Sequence, residues 1–172
     1  MVRPTLRAAT AADLPLLWEV LYEAIFVPPG QPAPPRSILR DPHVRQYLTD
    51  FPTHPGDGGL VAEIPAGPLG AAWHRQMPAS HPGYGFVRPD GPEVTIALLP
   101  PYRGQGIGTR LLQQLLEDAE AAGYPGLSLS VHAKNPARRL YQRLGFVRVA
   151  SRLPSDDAWT MWRAFGDGAP HE

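Results

Sequence analysis

Cysteine is absent from the 172 residues of this chain. Its absence excludes disulfide bonds, catalysis by a thiolate and metal sites built on cysteine. The chain also lacks a Gly-x-Ser-x-Gly motif, which would place a serine nucleophile on a tight strand-to-helix turn. A reaction through a covalent enzyme intermediate is therefore not expected, and no metal site is predicted.

An excess of charge of either sign is also missing, because 16 Lys and Arg residues balance 16 Asp and Glu residues. Proteins that bind nucleic acids usually carry a basic excess, which neutralises phosphates. We therefore predict no nucleic-acid partner. A net charge near zero favours self-association, so a homodimer is an open hypothesis.

Long apolar runs do not occur either: no stretch reaches about 18 residues, so we predict no membrane span and no membrane partner. Residues 1–10 have no apolar core of the kind found in signal peptides, and a cytoplasmic protein is the default expectation. Hydrophobic residues make up 43% of the chain and charged residues 19%, as in globular proteins. The length predicts a single domain, 1–172.

The first half of the chain is predicted to combine short strands with one amphipathic helix. Apolar residues recur at helical spacing after Asp13, which can cap the helix start. Residues 27–35 contain five prolines and predict a stiff loop. Residues 37–51 predict a short or broken helix. The other predicted elements are a strand at 3–8, the helix at 12–26 and a hairpin of strands at 59–64 and 69–77.

The second half is predicted to contain a strand–helix–strand crossover. Residues 93–99 form an apolar, partly β-branched run, typical of a strand buried on both faces. An apolar stripe predicts a helix at 106–122, which Gly123 ends. A strand at 126–131, a short helix capped by Asn135 with Pro136 at its first position, and strands at 146–151 and 158–165 follow. The pattern predicts an α/β fold of the α+β kind, with a mixed sheet.

The segment RGQGIG at 103–108 lies between the buried strand and the amphipathic helix. A helix start presents unpaired backbone N–H groups and the positive end of the helix dipole, and glycines let an anion approach closely. The segment therefore predicts a phosphate site. It lacks the lysine of a Walker loop, and Thr109 stands where the dinucleotide fingerprint needs glycine. A glycine-rich helix start without a ligand remains the alternative.

Three segments together resemble the GCN5-related N-acetyltransferase (GNAT) family. The sequence LLPPYRGQGIGTRLL at 98–112 resembles the family's strand, pyrophosphate loop and helix. The sequence LSLSVHAKNPARRLYQRLGFV at 127–147 resembles its next strand, its asparagine-bearing helix and its Leu-Gly-Phe turn, and residues 6–20 resemble its opening strand and helix. The resemblance implies the acyl-CoA N-acyltransferase fold of about seven strands and four helices, with a cofactor-binding core at 92–148.

The resemblance also implies a reaction and a cofactor site. The family moves an acetyl group from acetyl-CoA (coenzyme A) to an amine by direct nucleophilic attack, and the acceptor here would be a small molecule or a peptide. The cofactor would lie between strands 93–99 and 126–132, paired with the backbone of Leu98 and Leu99. Asn135 matches the family's cofactor-contacting asparagine, although a helix cap alone would explain it. The amides expected on the pyrophosphate are those of Arg103, Gly104, Gln105, Gly106, Ile107 and Gly108.

Tyr141 matches the family's tyrosine that protonates the leaving thiolate, and a phenol can donate a proton and recover it. Side chains on a helix lean towards its N-terminus, which points Tyr141 towards the gap. A tyrosine that only packs in the core is the alternative. Glu93 is the candidate base. Its strand parity is opposite to that of the expected position, so its side chain should point to the other face of the sheet. His74, His132 and a chain of ordered water are the alternatives.

The acceptor cleft is predicted between the first helix, the proline-rich loop and the loop at 78–92. Its candidate lining residues are Phe26, Trp73, Tyr84 and Phe86, with plain packing as the alternative for each. The main rival function is a non-catalytic module of the same fold that binds CoA or regulates a partner.

Overall fold

A computed structural model describes residues 3–153 and 155–170 of the chain. Its strands form one seven-stranded sheet with the order β1-β2-β3-β4-β5-β7-β6. The strands are β1 (Thr5–Ala8), β2 (Gly58–Ile64), β3 (Gly67–Arg75), β4 (Glu93–Leu98), β5 (Gly126–His132), β6 (Val147–Val149) and β7 (Ala158–Ala164).

Four α-helices accompany the sheet within the described ranges. They are α1 (Leu14–Ala24), α2 (Pro42–Arg45), α3 (Ile107–Ala121) and α4 (Arg138–Arg143), with 3-10 turns at Ala11–Asp13, Arg36–Arg40 and Pro100–Tyr102. The predicted fold class, with about seven strands and four helices, is confirmed. None of the helices in these ranges is long and apolar enough to cross a membrane.

The neighbouring strands β4 and β5 are the only parallel pair in the described sheet. The helix α3 connects them, as a parallel pair requires a crossover between its strands. Every other pair of neighbours is antiparallel. The predicted strand–helix–strand crossover is therefore present, and it lies at the centre of the sheet.

The sheet buries an apolar cluster on each face. Alternate residues of β4 divide between the clusters: Val94, Ile96 and Leu98 pack with α3, whereas Ala97 packs with α1. The cluster under α3 and α4 includes Leu111, Leu112, Leu115, Phe146 and Met161, and the cluster under α1 includes Leu17, Val20, Leu48, Phe51 and Trp73. Glu93, which has the parity of Ala97, therefore belongs to the α1 face.

Two predicted helix caps differ from the structure. The Asp13 carboxylate makes no cap bond to α1; it accepts hydrogen bonds from the Thr10 amide and from the Arg7 guanidinium, both at 2.8 Å. The Asn135 side chain does accept from the Ala137 amide at 2.9 Å. However, α4 begins three residues after Asn135, because residues 135–137 form a separate turn.

A buried ion pair holds the segment after α2 against β3. The Arg75 guanidinium donates to the Asp57 carboxylate at 2.8 and 2.9 Å, and both side chains are almost fully buried. The same guanidinium donates to the carbonyls of Gln46 and Thr49 at 2.9 and 2.7 Å. These bonds fix the backbone on both sides of Tyr47, which lies between those two residues.

Candidate active site

The strands β4 and β5 separate after their first residues. Their single register pair is Glu93 with Ser128, and the Ser128 amide donates to the Pro92 carbonyl at 3.0 Å. A regular parallel pair would continue with evenly spaced bonds. The described parts of the two strands instead leave a wedge-shaped gap that opens towards Leu98, so backbone groups at the end of β4 that face β5 have no partner in β5.

The backbone of Leu98 faces this gap, but that of Leu99 does not. The Leu99 amide donates to the Leu69 carbonyl at 2.8 Å, and the Leu99 carbonyl accepts from the Tyr102 amide at 2.9 Å. Because polar groups alternate sides along a strand, the Leu98 amide points towards β5. The expected pairing of Leu99 with the pantetheine arm is therefore corrected: its backbone groups are already used.

The segment 103–108 forms the entrance to α3. Gly104 and Gly106 have φ values of 73° and 80°, the left-handed region that favours glycine. A Cβ at either position would have no other atom within 4 Å, so open space lies beside this backbone. A Cβ at Gly108 would instead approach a Leu98 methyl at 3.2 Å, which explains why α3 packs closely on β4. Open space beside the first amides of α3 fits an anion.

The Arg103 side chain binds protein groups at the mouth of the gap. Its guanidinium donates to the Glu23 carboxylate of α1 at 2.8 Å and to the Leu98 carbonyl at 3.1 Å. These bonds tie the end of α1 to the mouth of the gap. The backbone amide of Arg103 also donates to the Pro100 carbonyl, at 3.4 Å. The expected contact of Arg103 with a pyrophosphate is therefore corrected, because both its side chain and its amide have other partners.

Tyr141 lies in the core cluster under α3, where it is 8% exposed. Its ring meets Phe146 edge-on, with 6.0 Å between the ring centroids. Among the described residues its hydroxyl makes no hydrogen bond. Burial raises the pKa of Tyr141 to about 12, so the phenol keeps its proton at every ordinary pH.

Glu93 lies on the opposite face of the sheet and is 3% exposed. The Tyr47 hydroxyl donates a short hydrogen bond to its Oε2, whereas its Oε1 is buried without a hydrogen-bond partner. Burial raises the pKa of Glu93 to about 7, although the bond from Tyr47 and the amide of Gly85 act in the opposite direction. A carboxyl group that titrates near neutrality can accept a proton at physiological pH.

Sequence reasoning missed Tyr47, the residue that holds Glu93. Tyr47 lies 46 residues before Glu93 in a segment without a chemical motif. A weak signal was present in the Gly-Tyr-Gly run at 83–85. A Cβ at Gly83 would overlap Glu93 Oε1, and one at Gly85 would overlap the Leu129 carbonyl carbon of β5. Such paired glycines indicate close approach of a loop to its neighbours.

A known protein family combines these features of fold and site. The model of the acetyltransferase (GNAT) family matches residues 18–146 of the chain. The chain belongs to the GNAT acetyltransferase family. The predicted family, the acetyl-CoA cofactor and the assignment as an acetyl-CoA-dependent N-acyltransferase are confirmed.

One curated relative and two solved structures are similar to this chain, and the two structures, at low sequence identity, show that the fold is shared. The N-alpha-acetyltransferase RimI of Mycobacterium tuberculosis is 33% identical over 122 residues, which cover 56% of this chain and 75% of that protein. The Salmonella typhimurium protein yncA, solved with its cofactor acetyl-CoA, has a TM-score of 0.69 and 19% identity, with 99% of each chain covered. A phosphinothricin acetyltransferase of Sinorhizobium meliloti, in complex with acetyl-CoA, has a TM-score of 0.68 and 24% identity over 99% of this chain and 95% of that one.

The two histidines considered as bases in this GNAT protein are poorly suited to the role. His74 Nδ1 lies 2.6 Å from the Gly56 carbonyl oxygen, its ring packs against Tyr124, and burial lowers its pKa. His132 Nδ1 accepts the Lys134 amide proton at 3.0 Å. A neutral His132 ring therefore carries its own proton on Nε2 and has no free nitrogen lone pair.

A cavity of about 400 Å³ opens on the α1 face of the sheet, beside the gap. Tyr84, at 48% exposed, forms one wall. The other lining residues are Ser130, Ser151, Leu153, Ser155, Ala158 and Thr160. Of the aromatic residues expected in the acceptor cleft, Trp73 and Phe86 are buried in the core. Phe26 packs against His132, with 5.0 Å between their ring centroids and an angle of 42° between the ring planes.

Proposed function

We propose that this GNAT enzyme acetylates the primary amine of a peptide or small molecule that enters the cavity beside Tyr84. The observation that carries the proposal is the gap between β4 and β5, which has a buried phenol on one face and a buried carboxyl group on the other. An amine approaching from the cavity would meet the carboxyl group, and a thiol leaving on the α3 face would meet the phenol.

The open backbone around the gap fits acetyl-CoA. In the proposal, the amides of residues 104–108 hold the pyrophosphate, and the Leu98 amide and the Asn135 side chain hold the pantetheine arm. When bound, acetyl-CoA supplies an activated acetyl thioester. The preorganised Leu98 N–H then polarises the acetyl carbonyl, a contact of the kind worth a few kcal/mol in other acyl transfers.

Tyr141 is the proposed acid. The residue is 8% exposed, its hydroxyl has no competing hydrogen-bond partner among the described residues, and its raised pKa keeps it protonated until a stronger base appears. A departing thiolate is such a base when it lies in a dry pocket, so the phenol proton passes to sulfur. The proton is afterwards recovered from solvent.

Glu93 is the proposed base. An alkylamine is mostly protonated at neutral pH and cannot attack until it loses a proton. The Glu93 carboxylate is the group on the cavity side whose pKa, near 7, suits that transfer. Its burial means that a water molecule has to carry the proton from the cavity. Direct attack by the free amine agrees with the lack of a cysteine nucleophile.

The cavity favours an acceptor whose group next to the amine is uncharged. None of the described residues that line it is charged, so it offers no partner to a polyamine. RimI of Mycobacterium tuberculosis is named for N-alpha acetylation. This name and the uncharged cavity together support the N-terminal amine of a peptide as the first acceptor class. A cytoplasmic location and a homodimer belong to the same proposal.

The test is an acceptor screen with Tyr141→Phe as its control. Peptides with uncharged N-terminal residues, spermidine and small primary amines are incubated with acetyl-CoA, and both CoA release and product mass are measured. We expect acetylated peptide, and at least a roughly tenfold lower kcat for Tyr141→Phe with unchanged CoA binding. Turnover of spermidine alone would contradict the acceptor class. Unchanged kcat in the variant would remove the acid role, and no turnover with any amine would favour the non-catalytic module.

A further inference from the structure

The Tyr47 hydroxyl both donates and accepts a hydrogen bond. The hydroxyl oxygen accepts the Tyr84 amide proton at 2.8 Å and donates its own proton to Glu93 Oε2. A phenol has a single proton to give, so the donor role towards Glu93 is fixed. Burial raises the pKa of Tyr47 well above its ordinary value, which keeps this proton in place.

The position of Tyr47 is itself held from β3. Its carbonyl accepts the Trp73 indole proton at 3.0 Å, and Arg75 binds the carbonyls of the neighbouring Gln46 and Thr49. The Tyr47 ring also lies parallel to the Tyr84 ring, with 6.4 Å between the centroids. Three hydrogen bonds from two buried side chains to one short turn are more than apolar packing of a tyrosine requires.

The two oxygens of Glu93 are in different environments as a result. Oε2 is occupied by the Tyr47 hydroxyl, whereas Oε1 is buried without a partner beside Gly83. The Ser128 hydroxyl, on the register partner of Glu93 in β5, is also buried without a partner. Unpaired polar atoms of this kind in native proteins call for water or a ligand.

We propose that Tyr47 is a positioning residue for Glu93: it fixes one carboxylate oxygen, leaves the other free to take the proton, and links the carboxylate to the acceptor cavity through Tyr84. The inference rests on the proposed role of Glu93 as the base. Because Tyr84 forms a wall of the cavity and its amide binds the Tyr47 hydroxyl, the proposed acceptor and the carboxylate share one rigid support.

The groups that influence the charge of Glu93 come from three elements. The turn after α2 contributes Tyr47, the loop at 78–92 contributes Tyr84 and the Gly85 amide, and β5 contributes the neutral Ser128. The negative charge of Asp41, which precedes α2, raises the pKa of Tyr84. The bond from Tyr47 favours the ionised form of Glu93, so its removal shifts the carboxyl group towards the protonated form.

The experiment compares Tyr47→Phe with the matched control Tyr22→Phe. The Tyr22 hydroxyl donates to the Pro34 carbonyl at 2.7 Å and does not touch Glu93. For Tyr47→Phe we expect a roughly tenfold lower kcat, an unchanged KM for acetyl-CoA, and an acidic limb of kcat/KM displaced upwards by about one pH unit. Tyr22→Phe should leave the pH profile where it is in the wild type.

A double variant separates this inference from the proposed function. If Tyr47 acts through Glu93, Tyr47→Phe should cause no further loss of kcat in a Glu93→Gln background. A Glu93→Gln enzyme that is slow, together with a Tyr47→Phe enzyme whose pH profile is unchanged, would overturn the positioning role and leave the base role intact. Wild-type turnover in Glu93→Gln would overturn both.

Loss of folding in Tyr47→Phe would not end the test. Site-specific incorporation of 3-fluorotyrosine at position 47 keeps the shape of the side chain and makes its hydroxyl a stronger donor. The proposal then predicts the opposite displacement, with the acidic limb of kcat/KM moved to lower pH. An unchanged acidic limb in the fluorinated enzyme would contradict it.

Discussion

Burial acts in the same direction on Glu93 and Tyr141, the two ionisable side chains proposed as base and acid. Both pKa values are raised, because each charged form is penalised in a dry environment. For the phenol, whose ordinary pKa is already high, the shift secures the protonated state that an acid needs. For the carboxyl group the same shift brings the pKa to about 7, where proton uptake and release are balanced.

The buried Glu93 should also reduce stability at high pH. An unfolded chain has this pKa near 4.5 and the folded chain near 7, so the folded state holds the proton more tightly between those values. Stability is therefore lost as the pH rises through 7. Relative to wild type, Glu93→Gln should gain up to about 3 kcal/mol in free energy of unfolding between about pH 5 and about pH 8.

Urea unfolding of both proteins at these two pH values measures this difference. The comparison across pH cancels any fixed effect of the amide on packing. An identical wild-type-to-variant difference at both values would mean that the folded-state pKa of Glu93 is not raised.

At the scale of elements, the loop at 78–92 closes the α1 face over β4 and β5. Gly85 lies directly on β5: a Cβ there would overlap the Leu129 carbonyl carbon and come within 2.5 Å of the Ser130 nitrogen. Backbone atoms of a central strand cannot give way, so the loop would have to lift.

Gly85→Ala should therefore destabilise the fold by about 1–3 kcal/mol and lower turnover, because Tyr84 and Tyr47 shift with the loop. Gly30→Ala is the control. Gly30 has a φ of 83° but open space around it, so only backbone strain, about 1 kcal/mol, is expected there. Thermal unfolding measures the loss of stability in each of the two variants, and kcat measures the loss of turnover. Equal unfolding losses with unchanged turnover in Gly85→Ala would show that the loop tolerates the methyl group.

Local patterns predicted most elements because their causes are local. The apolar stripe of α3 and the hairpin of β2 and β3 were placed within a few residues of their observed bounds. The start of α4 was misplaced, since Asn135 and Pro136 signal a helix start but here form a turn before it. The hydrogen bond from the Leu99 amide to the Leu69 carbonyl could not be predicted, because it depends on how β3 and β4 pair.

Contacts between distant segments were the least predictable part of the site. The bond between Tyr47 and Glu93 and the ion pair between Arg75 and Asp57 join segments far apart in sequence. No spacing rule relates such residues before the chain is folded. Glu93, which has the opposite strand parity from the position expected for the base, lies on the α1 face, whereas Tyr141 lies on the α3 face.

At the scale of the whole molecule, the sheet divides the protein into two apolar layers, and the gap between β4 and β5 connects them. The anion site at α3 lies at the open end of the gap, Glu93 lies at its paired end, and Tyr141 lies in the layer on the α3 side. In the proposal, the cofactor and the acceptor meet at this gap, so binding of CoA there is its central requirement.

Thermal unfolding with matched concentrations of acetyl-CoA, CoA, NADH and ATP tests that requirement most directly. A ligand at a hundredfold its Kd stabilises the folded state by about 2.7 kcal/mol, which corresponds to a Tm increase of several degrees. The account predicts such an increase with acetyl-CoA and CoA alone. An unchanged Tm with both CoA species would contradict it, and would mean that the glycine segment at 103–108 is only the start of a helix.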